Sequence, residues 1–342
     1  MMDNYLIQAE NLKGLHYLLE QAKLAGKIDL VYIDPPFATG NDFTIGAERS
    51  ATISHSLKDE LAYSDKLLGT AFIDFLKQRM LLLKELLSEK GSIYVHTDYK
   101  IGHYVKIMMD EVFGIANFRN DISRIKCNPK NFKRIGYGNI KDMILFYTKS
   151  STPIWNEPKT PYTPEDLEKL FPKINADGRR YTTVPIHAPG ETKKGKSNEP
   201  FKGQLPPKGR HWRTDVPTLK SWDEEGLIEW SSKGNPRKII FADEQEGKRV
   251  QDIWNFKDSS YPIYPTEKNA DLLSLIIATS SLPNSCVLDC FCGSGTTLQV
   301  AHEQKRNWIG IEQSIPAVKI AQEKLKRQGF LSERDYQFIV MN

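Results

Sequence analysis

Asp34-Pro35-Pro36-Phe37 places one carboxylate, two proline carbonyls and an aromatic ring in four consecutive residues. Two adjacent prolines stiffen the chain and remove backbone donors, so acceptors alone flank the carboxylate. That set suits an exocyclic amino nitrogen. An aniline-type NH2 is a poor nucleophile because its lone pair is delocalised into the ring. If Asp34 and the Pro35 carbonyl take its two hydrogens, the nitrogen moves toward tetrahedral and its lone pair can meet an electrophilic methyl. Phe37 offers a flat face on which an extruded base can stack. A rigid turn capping a strand, with Phe37 in the core, would use the same four residues.

A second group lies near the other end of the chain. VLDCFCGSGTT (287–297) reads as strand, glycine turn and helix. Gly293 and Gly295 let the backbone bend sharply and let a ligand approach closely. The following strand ends in Glu312, 17 residues after Gly295. A carboxylate at that tip can accept hydrogen bonds from both hydroxyls of an adenosine ribose, so an adenosine-containing cofactor is indicated. The third glycine of a dinucleotide site is missing, and no Gly-Lys-Ser/Thr supports a phosphate-cradling loop. An ordinary tight turn remains the other reading. Cys286, Cys290 and Cys292 lack the spacing of a zinc site and read as core thiols.

These groups need elements to carry them. IDLVYI (28–33) is a short apolar run stopped by Asp34-Pro35-Pro36, hence a buried strand. The tetrad then sits at a strand's carboxyl end, where α/β sheets bind ligands. Residues 38–68 are polar and mixed, which predicts a long loop placed to close over that end. The period of AFIDFLKQRMLLLKELLS (71–88) predicts a helix, with Gly91 as its stop. SIYVHTD (92–98) predicts a strand, 101–113 a helix and DMILFYTK (142–149) a strand. Strand and helix alternate, as in a parallel α/β sheet. The pattern resumes with TEKNADLLSLIIATSS (266–281), a helix with Thr266 as N-cap. SCVLDCF (285–291), NWIGIE (307–312) and YQFIVM (336–341) predict strands, with helices at 293–305 and 316–328.

The middle of the chain is different. Residues 120–215 hold 19 Lys/Arg against 10 Asp/Glu, although the whole chain of 342 residues is only +4. Eleven of 19 prolines lie between Pro153 and Pro217, and five of six tryptophans between Trp155 and Trp254. A basic, proline-rich, aromatic-bearing segment reads as an insertion with its own partner, a polyanion first, or as a solvated irregular region. The hydrophobic share of 39% supports a sizeable core, which excludes a disordered chain. No apolar run approaches the roughly 18 residues of a membrane span, and no secretory signal is visible. Four cysteines, three of them in one apolar stretch, suit a reducing compartment, so a cytoplasmic location is expected.

With both motifs and the insertion in hand, the sequence resembles the β class of amino-methylating DNA methyltransferases. In that class the catalytic motif comes first, the target recognition domain second and the cofactor motif last. LVYIDPPF (30–37), the basic insertion and VLDCFCGSGTT follow that order. AENL (9–12), YSDKL (63–67), RMLLLKELLSEKGSIYVHTD (79–98), HYVKIMMDEVFG (103–114) and GNIKDMILFYTK (138–149) also match the family pattern. So does YPTEKNADLLSLI (264–276), with Glu267 and Asn269 as departures; Glu10 stands where Asp is usual.

The resemblance implies a Rossmann-like α/β fold for an S-adenosyl-L-methionine-dependent methyltransferase, circularly permuted in motif order, with an inserted recognition domain. The divisions would be 1–150 for the catalytic half, 151–260 for the insertion and 261–342 for the cofactor half. It implies that Asp34, Pro35, Pro36 and Phe37 are catalytic. It implies that Asp289, Phe291, Cys292, Gly293, Ser294, Gly295, Thr296 and Thr297 cradle the cofactor, that Glu312 holds its ribose, and that Gln313 and Asp34 also contact it. Thr266 and Lys268 would open a helix near the methionine carboxylate. Glu10 and Asn11 would help at the adenine end. The sulfonium leaves as a neutral thioether, so the transfer needs neither a metal nor a covalent intermediate.

Members with Asp before the two prolines mostly methylate adenine N6 and those with Ser cytosine N4, so Asp34 favours adenine in duplex DNA, with cytosine N4 as the alternative. The target must be flipped out of the stack. Lys193, Lys194, Lys196, Lys208, Arg210 and Arg213 are the expected DNA contacts, mostly to phosphate; Arg179 and Arg180 could touch phosphate or base. A cognate restriction endonuclease and a homodimer are open partners. Three rivals stand beside this reading: a nicotinamide-dependent oxidoreductase, a non-catalytic nucleic-acid-binding module and an RNA methyltransferase.

Overall fold

The structure, a computed structural model, describes residues 3–35, 66–129, 133, 135–191, 195–258, 268–332 and 334–341. Pro36, Phe37, Lys193, Lys194, Thr266 and nearly all of the expected 38–68 loop lie outside the described residues. Two compact units form: Met1–Pro158 together with Gln251–Asn342, and Lys159–Val250.

The larger unit begins with β1 (Tyr5–Gln8), α1 (Asn11–Glu20), β2 (Ile28–Ile33), α2 (Lys66–Leu86), β3 (Leu87–Thr97), α3 (Gly102–Phe113), β4 (Phe118–Ile125) and β5 (Lys141–Thr148). The smaller unit holds β6 (Lys159–Thr160), α4 (Pro164–Leu170), β7 (Lys173–Ile174), β8 (Arg180–Pro185), β9 (His187–Pro189), β10 (Arg210–Trp212), α5 (Val216–Glu224), β11 (Ile228–Trp230), β12 (Pro236–Phe241) and β13 (Lys248–Arg249). The chain returns to the larger unit with β14 (Ile253–Trp254), α6 (Ala270–Ser280), β15 (Cys286–Asp289), α7 (Thr296–Glu303), β16 (Asn307–Glu312), α8 (Ile315–Arg327) and β17 (Gln337–Val340).

Nine strands of the larger unit share one sheet, in the order β14-β4-β5-β3-β2-β15-β16-β1-β17. It is not all parallel as the alternation implied. β5 runs antiparallel to both β3 and β4, while the other pairs are parallel. The connection fits this: among its described residues the chain from β4 to β5 shows no crossover helix, as antiparallel neighbours allow. β2 and β15 are adjacent, with Leu30 opposite Val287 and Val31 opposite Leu288. From β2 the chain goes on to β3 on one side, and from β15 to β16 on the other. This is a topological switch point, and its carboxyl edge is where an open α/β sheet binds ligands.

Successive strand residues face opposite sides, which sorts the core into two layers. Val31, Ile33, Ile93, Val95 and Leu145 belong to a buried cluster with Leu76, Met80 and Leu83 of α2 and Val105 and Met109 of α3. On the other side the Tyr94 ring stacks on Phe146 at 4.3 Å, and Tyr94 Oη bonds Ser280 Oγ of α6 at 2.8 Å. α1 approaches the sheet closely through Gly14, where a Cβ would lie 2.8 Å from Ile311 Cγ2.

Two expected helix signals move. Gly91 is not a helix stop: α2 gives way to β3 at Leu87, and Gly91 lies inside the strand. There a Cβ would come 2.7 Å from Leu87 Cδ2 and 3.0 Å from the Ile28 carbonyl, beside a register shift between Ile28 and Leu30. Glycine at such an irregularity lets two backbones approach. The helix expected from Thr266 begins instead at Ala270, capped by Asn269, whose Oδ1 accepts from Leu272 N at 3.1 Å. Asn is a strong N-cap because its carbonyl satisfies one of the first free N–H groups.

The smaller unit has its own sheet, β11-β12-β8-β7, antiparallel throughout. Ile186, Phe201, Trp212, Val216 and Leu219 form its core. Trp212 is buried and donates from Nε1 to the Glu199 carbonyl at 3.0 Å, so this aromatic serves packing. What composition suggested as loops and a few small strands is a folded body.

Candidate functional site

The glycine turn is held from three directions. Gly293 (φ 50°) and Gly295 (φ 77°) both adopt left-handed conformations that L side chains rarely take. A Cβ on Gly295 would also lie 2.8 Å from Ala321 Cβ. Glu312, at the end of β16, accepts from Gly293 N at 2.9 Å through Oε2 and from Ser314 N at 2.8 Å through Oε1. Its carboxylate thus lies against the turn, and each oxygen keeps a further lone pair. Gln313 beside it is exposed. Lys324 Nζ donates to Ser294 Oγ and Thr296 Oγ1, each at 3.2 Å.

Asp289 closes β15 and is buried. Its Oδ2 accepts from the Thr297 hydroxyl at 2.6 Å and its Oδ1 from Phe291 N at 3.0 Å. Burial pushes this carboxyl up to about 7 against the pull of those two hydrogen bonds, and the nearby Asp34 and Glu312 charges add to the rise. Three carboxyl groups therefore share the carboxyl edge of β2, β15 and β16. As hydrogen-bond acceptors they suit a hydroxyl-bearing ligand. This set, with the close-approach glycines, fits the nucleoside part of S-adenosyl-L-methionine. Cys286, Cys290 and Cys292 are buried free thiols whose pKa values burial raises, so they pack and do not ionise. Among the described residues no cluster of His, Cys, Asp and Glu could hold a metal.

Glu10 and Asn11 stand at the start of α1. Glu10 Oε2 caps that helix, accepting from Leu12 N at 2.9 Å and Lys13 N at 3.3 Å, while Oε1 pairs with Arg79 Nη2. Asn11 Oδ1 accepts from Arg79 Nε at 2.5 Å. Arg79 is only 3% exposed, and its guanidinium lies 3.3 Å from the centre of the Phe75 ring. Phe75 in turn meets Phe291 of the turn at 6.5 Å. Sequence reading gave Arg79 no role, although it opens the matched stretch 79–98. One buried arginine ties the two expected adenine-end residues to the wall beside the glycine turn.

Asp34 follows β2 at the same edge. Its Oδ2 is 2.6 Å from Lys268 Nζ, and its Oδ1 is buried without a hydrogen-bond partner among the described residues. Lys268, expected near a cofactor carboxylate, is thus on the carboxylate of Asp34. Burial opposes its charge, but Asp34 and then Asp258 keep its pKa above the ordinary lysine value. Further back, Arg124 Nη2 pairs with Asp258, and Arg124 Nη1 lies 3.6 Å from Asp142, which also accepts from Lys126 Nζ at 2.6 Å. His96 joins Tyr32 Oη at 2.9 Å to Asp142 Oδ2 at 3.2 Å. For Asp142, burial is outweighed by its His96 and Lys126 contacts, which hold the carboxyl well below the usual range. No spacing rule joins positions so scattered in sequence.

In the smaller unit Lys196, Lys208, Arg210 and Arg213 are exposed. Arg210 Nη1 donates to His187 Nδ1 at 3.1 Å and Arg213 Nε to the His187 carbonyl at 3.3 Å. Partial burial first, then these arginines, lower the His187 pKa. Arg179 does not fit a DNA contact: Asp243 at 2.7 Å and Glu244 at 2.8 Å already match its charge. One basic loop was missed. β4 and β3 are both antiparallel to β5, so the loop after β4 leaves the same edge as Asp34. It carries Lys133 and the fully exposed Ile135 and Tyr137.

Comparison with known proteins identifies the family. A family model described as DNA methylase matches residues 28–323. The type II methyltransferase M.EcaI of Enterobacter cloacae is 37% identical over 330 residues, which cover 95% of this chain and 70% of that protein. The type III restriction-modification enzyme StyLTI Mod subunit of Salmonella typhimurium is 24% identical over 331 residues, 86% of this chain and 49% of its own; this chain spans about half its length. Among solved structures, TTHA0409 of Thermus thermophilus, described as a candidate DNA modification methylase, superposes with a TM-score of 0.51 at 14% identity, covering all of both chains. That likeness is one of fold, the Rossmann-like α/β methyltransferase fold. The chain belongs to the N6/N4 DNA methylase family and is a DNA methyltransferase related to those of restriction-modification systems.

Proposed function

We propose that this enzyme transfers the methyl group of S-adenosyl-L-methionine to N6 of adenine in duplex DNA, at a flipped-out base. The observation that carries the reading is Asp34 Oδ1, a buried carboxylate oxygen with no partner among the described residues, beside the glycine turn. A buried acceptor left unmatched costs roughly 1–3 kcal/mol, which an arriving N–H donor would recover. When bound, the cofactor supplies an electrophilic methyl on a sulfonium that departs as a neutral thioether.

The protein's work is alignment and charge stabilisation. Asp34 Oδ1 and the Pro35 carbonyl accept the two amino hydrogens and localise the nitrogen lone pair. As positive charge grows on nitrogen, Asp34 stabilises it and is the first acceptor for the proton that nitrogen must lose. Phe37 supports the base from its face. Glu312, and Glu10 with Asn11 through Arg79, hold the nucleoside part of the cofactor. Lys193, Lys194, Lys196, Lys208, Arg210 and Arg213 take DNA phosphates. A cytoplasmic location and a cognate endonuclease accompany this reading. The same grip would serve cytosine N4; Asp34 in place of Ser favours adenine.

Nucleoside analysis of duplex DNA methylated by the enzyme tests this directly. N6-methyladenine is expected, and its loss in Asp34→Asn with cofactor binding retained. N4-methylcytosine instead would correct the base, and full activity in Asp34→Asn would remove the catalytic assignment.

A further inference from the structure

Charged side chains alternate in sign from the outer strands to the candidate site. Lys126 contacts Asp142, Asp142 lies beside Arg124, Arg124 pairs with Asp258, and Lys268 feels Asp258 and pairs with Asp34. Five of these six side chains are half-buried or less exposed, and Arg124 is wholly buried. A guanidinium taken fully out of water is costly unless it is matched; Asp258 matches that of Arg124 through Nη2, while its Nη1 makes no hydrogen bond among the described residues. Its terminal carboxylate is bound on one oxygen only: Oδ2 faces Lys268, and Oδ1 has no partner among the described residues.

We propose that Lys268 is a positioning residue for methyl transfer: it grips Asp34 by Oδ2 and leaves Oδ1 as the one acceptor aimed at the target amino group. Asp258, itself paired with Arg124, adds a second negative charge near Lys268. The inference rests on the assignment of Asp34 as the amino-group acceptor. It moves Lys268 from the cofactor's carboxylate, where the family pattern would put it, to the base. A free carboxylate turns about its terminal bond and offers either oxygen; one clamped by an ammonium offers one oxygen in one direction. Misplacement of a reacting group by about 1 Å costs on the order of 100-fold in rate.

The test uses the full chain with Lys268→Met, Lys268→Arg, Asp258→Asn and Asp34→Asn. S-adenosyl-L-methionine affinity is measured by calorimetry, and single-turnover transfer to duplex DNA at saturating cofactor. Lys268→Met is expected to lose on the order of 100-fold in rate. Its cofactor affinity should stay within about 3-fold, under 1 kcal/mol. Lys268→Arg should recover much of the rate, and Asp258→Asn should give a smaller loss. If Lys268→Met does not fold, Lys268→Arg and Asp258→Asn carry the test through the same split between rate and affinity. A large loss of cofactor affinity with a normal rate at saturation would return Lys268 to the cofactor and overturn the proposal, as would a normal rate in Lys268→Met. Full activity in Asp34→Asn would instead overturn the underlying catalytic assignment.

Discussion

The buried carboxyl of Asp289 should make the stability of this protein fall as pH rises from about 4 to neutrality. Its ordinary value is 3.8 and burial carries it to about 7, a preference for the neutral form of roughly 4 kcal/mol in the fold. Because the folded value is raised, the stabilising contribution is complete below about pH 3.8 and is lost as pH climbs to 7. The folded chain binds one more proton than the unfolded chain in that window, so stability declines by about 1.4 kcal/mol per pH unit. Asp289→Asn keeps the shape and can still accept from Phe291 N and donate to the Thr297 oxygen, but it cannot titrate. Urea unfolding of both proteins from about pH 4.5 to 7.5 would isolate the effect, since every other titration cancels in the difference. The wild type should lose about 3 kcal/mol relative to the variant across that range. Adding S-adenosyl-L-methionine should shift the wild-type transition to lower pH, because a cation in the crevice favours the ionised form. Parallel pH slopes for the two proteins would refute the placement of Asp289 as a neutralised buried acid.

Arg79→Ala should cost about 2–3 kcal/mol in urea unfolding, below the 3–5 of a fully buried ion pair because its partner Glu10 is 39% exposed; it should also weaken cofactor binding, and Glu10→Gln in the same chain should recover part of the loss. A change under about 0.5 kcal/mol would mean that Arg79 does not join α1 to the site. Gly310→Ala should destabilise by about 1–3 kcal/mol, since its Cβ would lie 2.6 Å from Leu298 Cδ1 and 2.9 Å from Cys292 Sγ. Leu298→Ala should offset much of that strain, and a single variant as stable as wild type would refute the tight packing behind the turn. Joint replacement of Lys208, Arg210 and Arg213 by Gln should flatten the dependence of log affinity for DNA on log salt by about one to three. An unchanged slope would put the phosphate contacts elsewhere.

Much of the fold was legible because its signals are local. β2 and β16 begin and end where read, since each is a short apolar run bounded by turn residues. The glycine turn was legible for the same reason: two positive φ angles need glycine wherever the rest of the chain goes. β4, FRNDISRI, was not read as a strand. Few of its residues are apolar, and one that it buries completely is Arg124, which no periodicity rule places in a core. Asn269 was treated as a departure from a family motif, whereas it is the residue that starts α6.

By itself the sequence determined which chemistry is present: an acceptor set after one strand, a glycine turn with an acidic tip after others, and a basic insertion between them. These are properties of neighbours along the chain, and residue type and spacing encode them. Only the tertiary structure decided how the pieces meet. β2 lies against β15, β5 is reversed, Arg79 reaches back to Glu10 and Asn11, and Lys268 grips Asp34 across more than half of the chain. A buried charge is tolerated only where folding supplies its counter-charge, so such partners are chosen by strand order and burial, which distance along the sequence does not reveal.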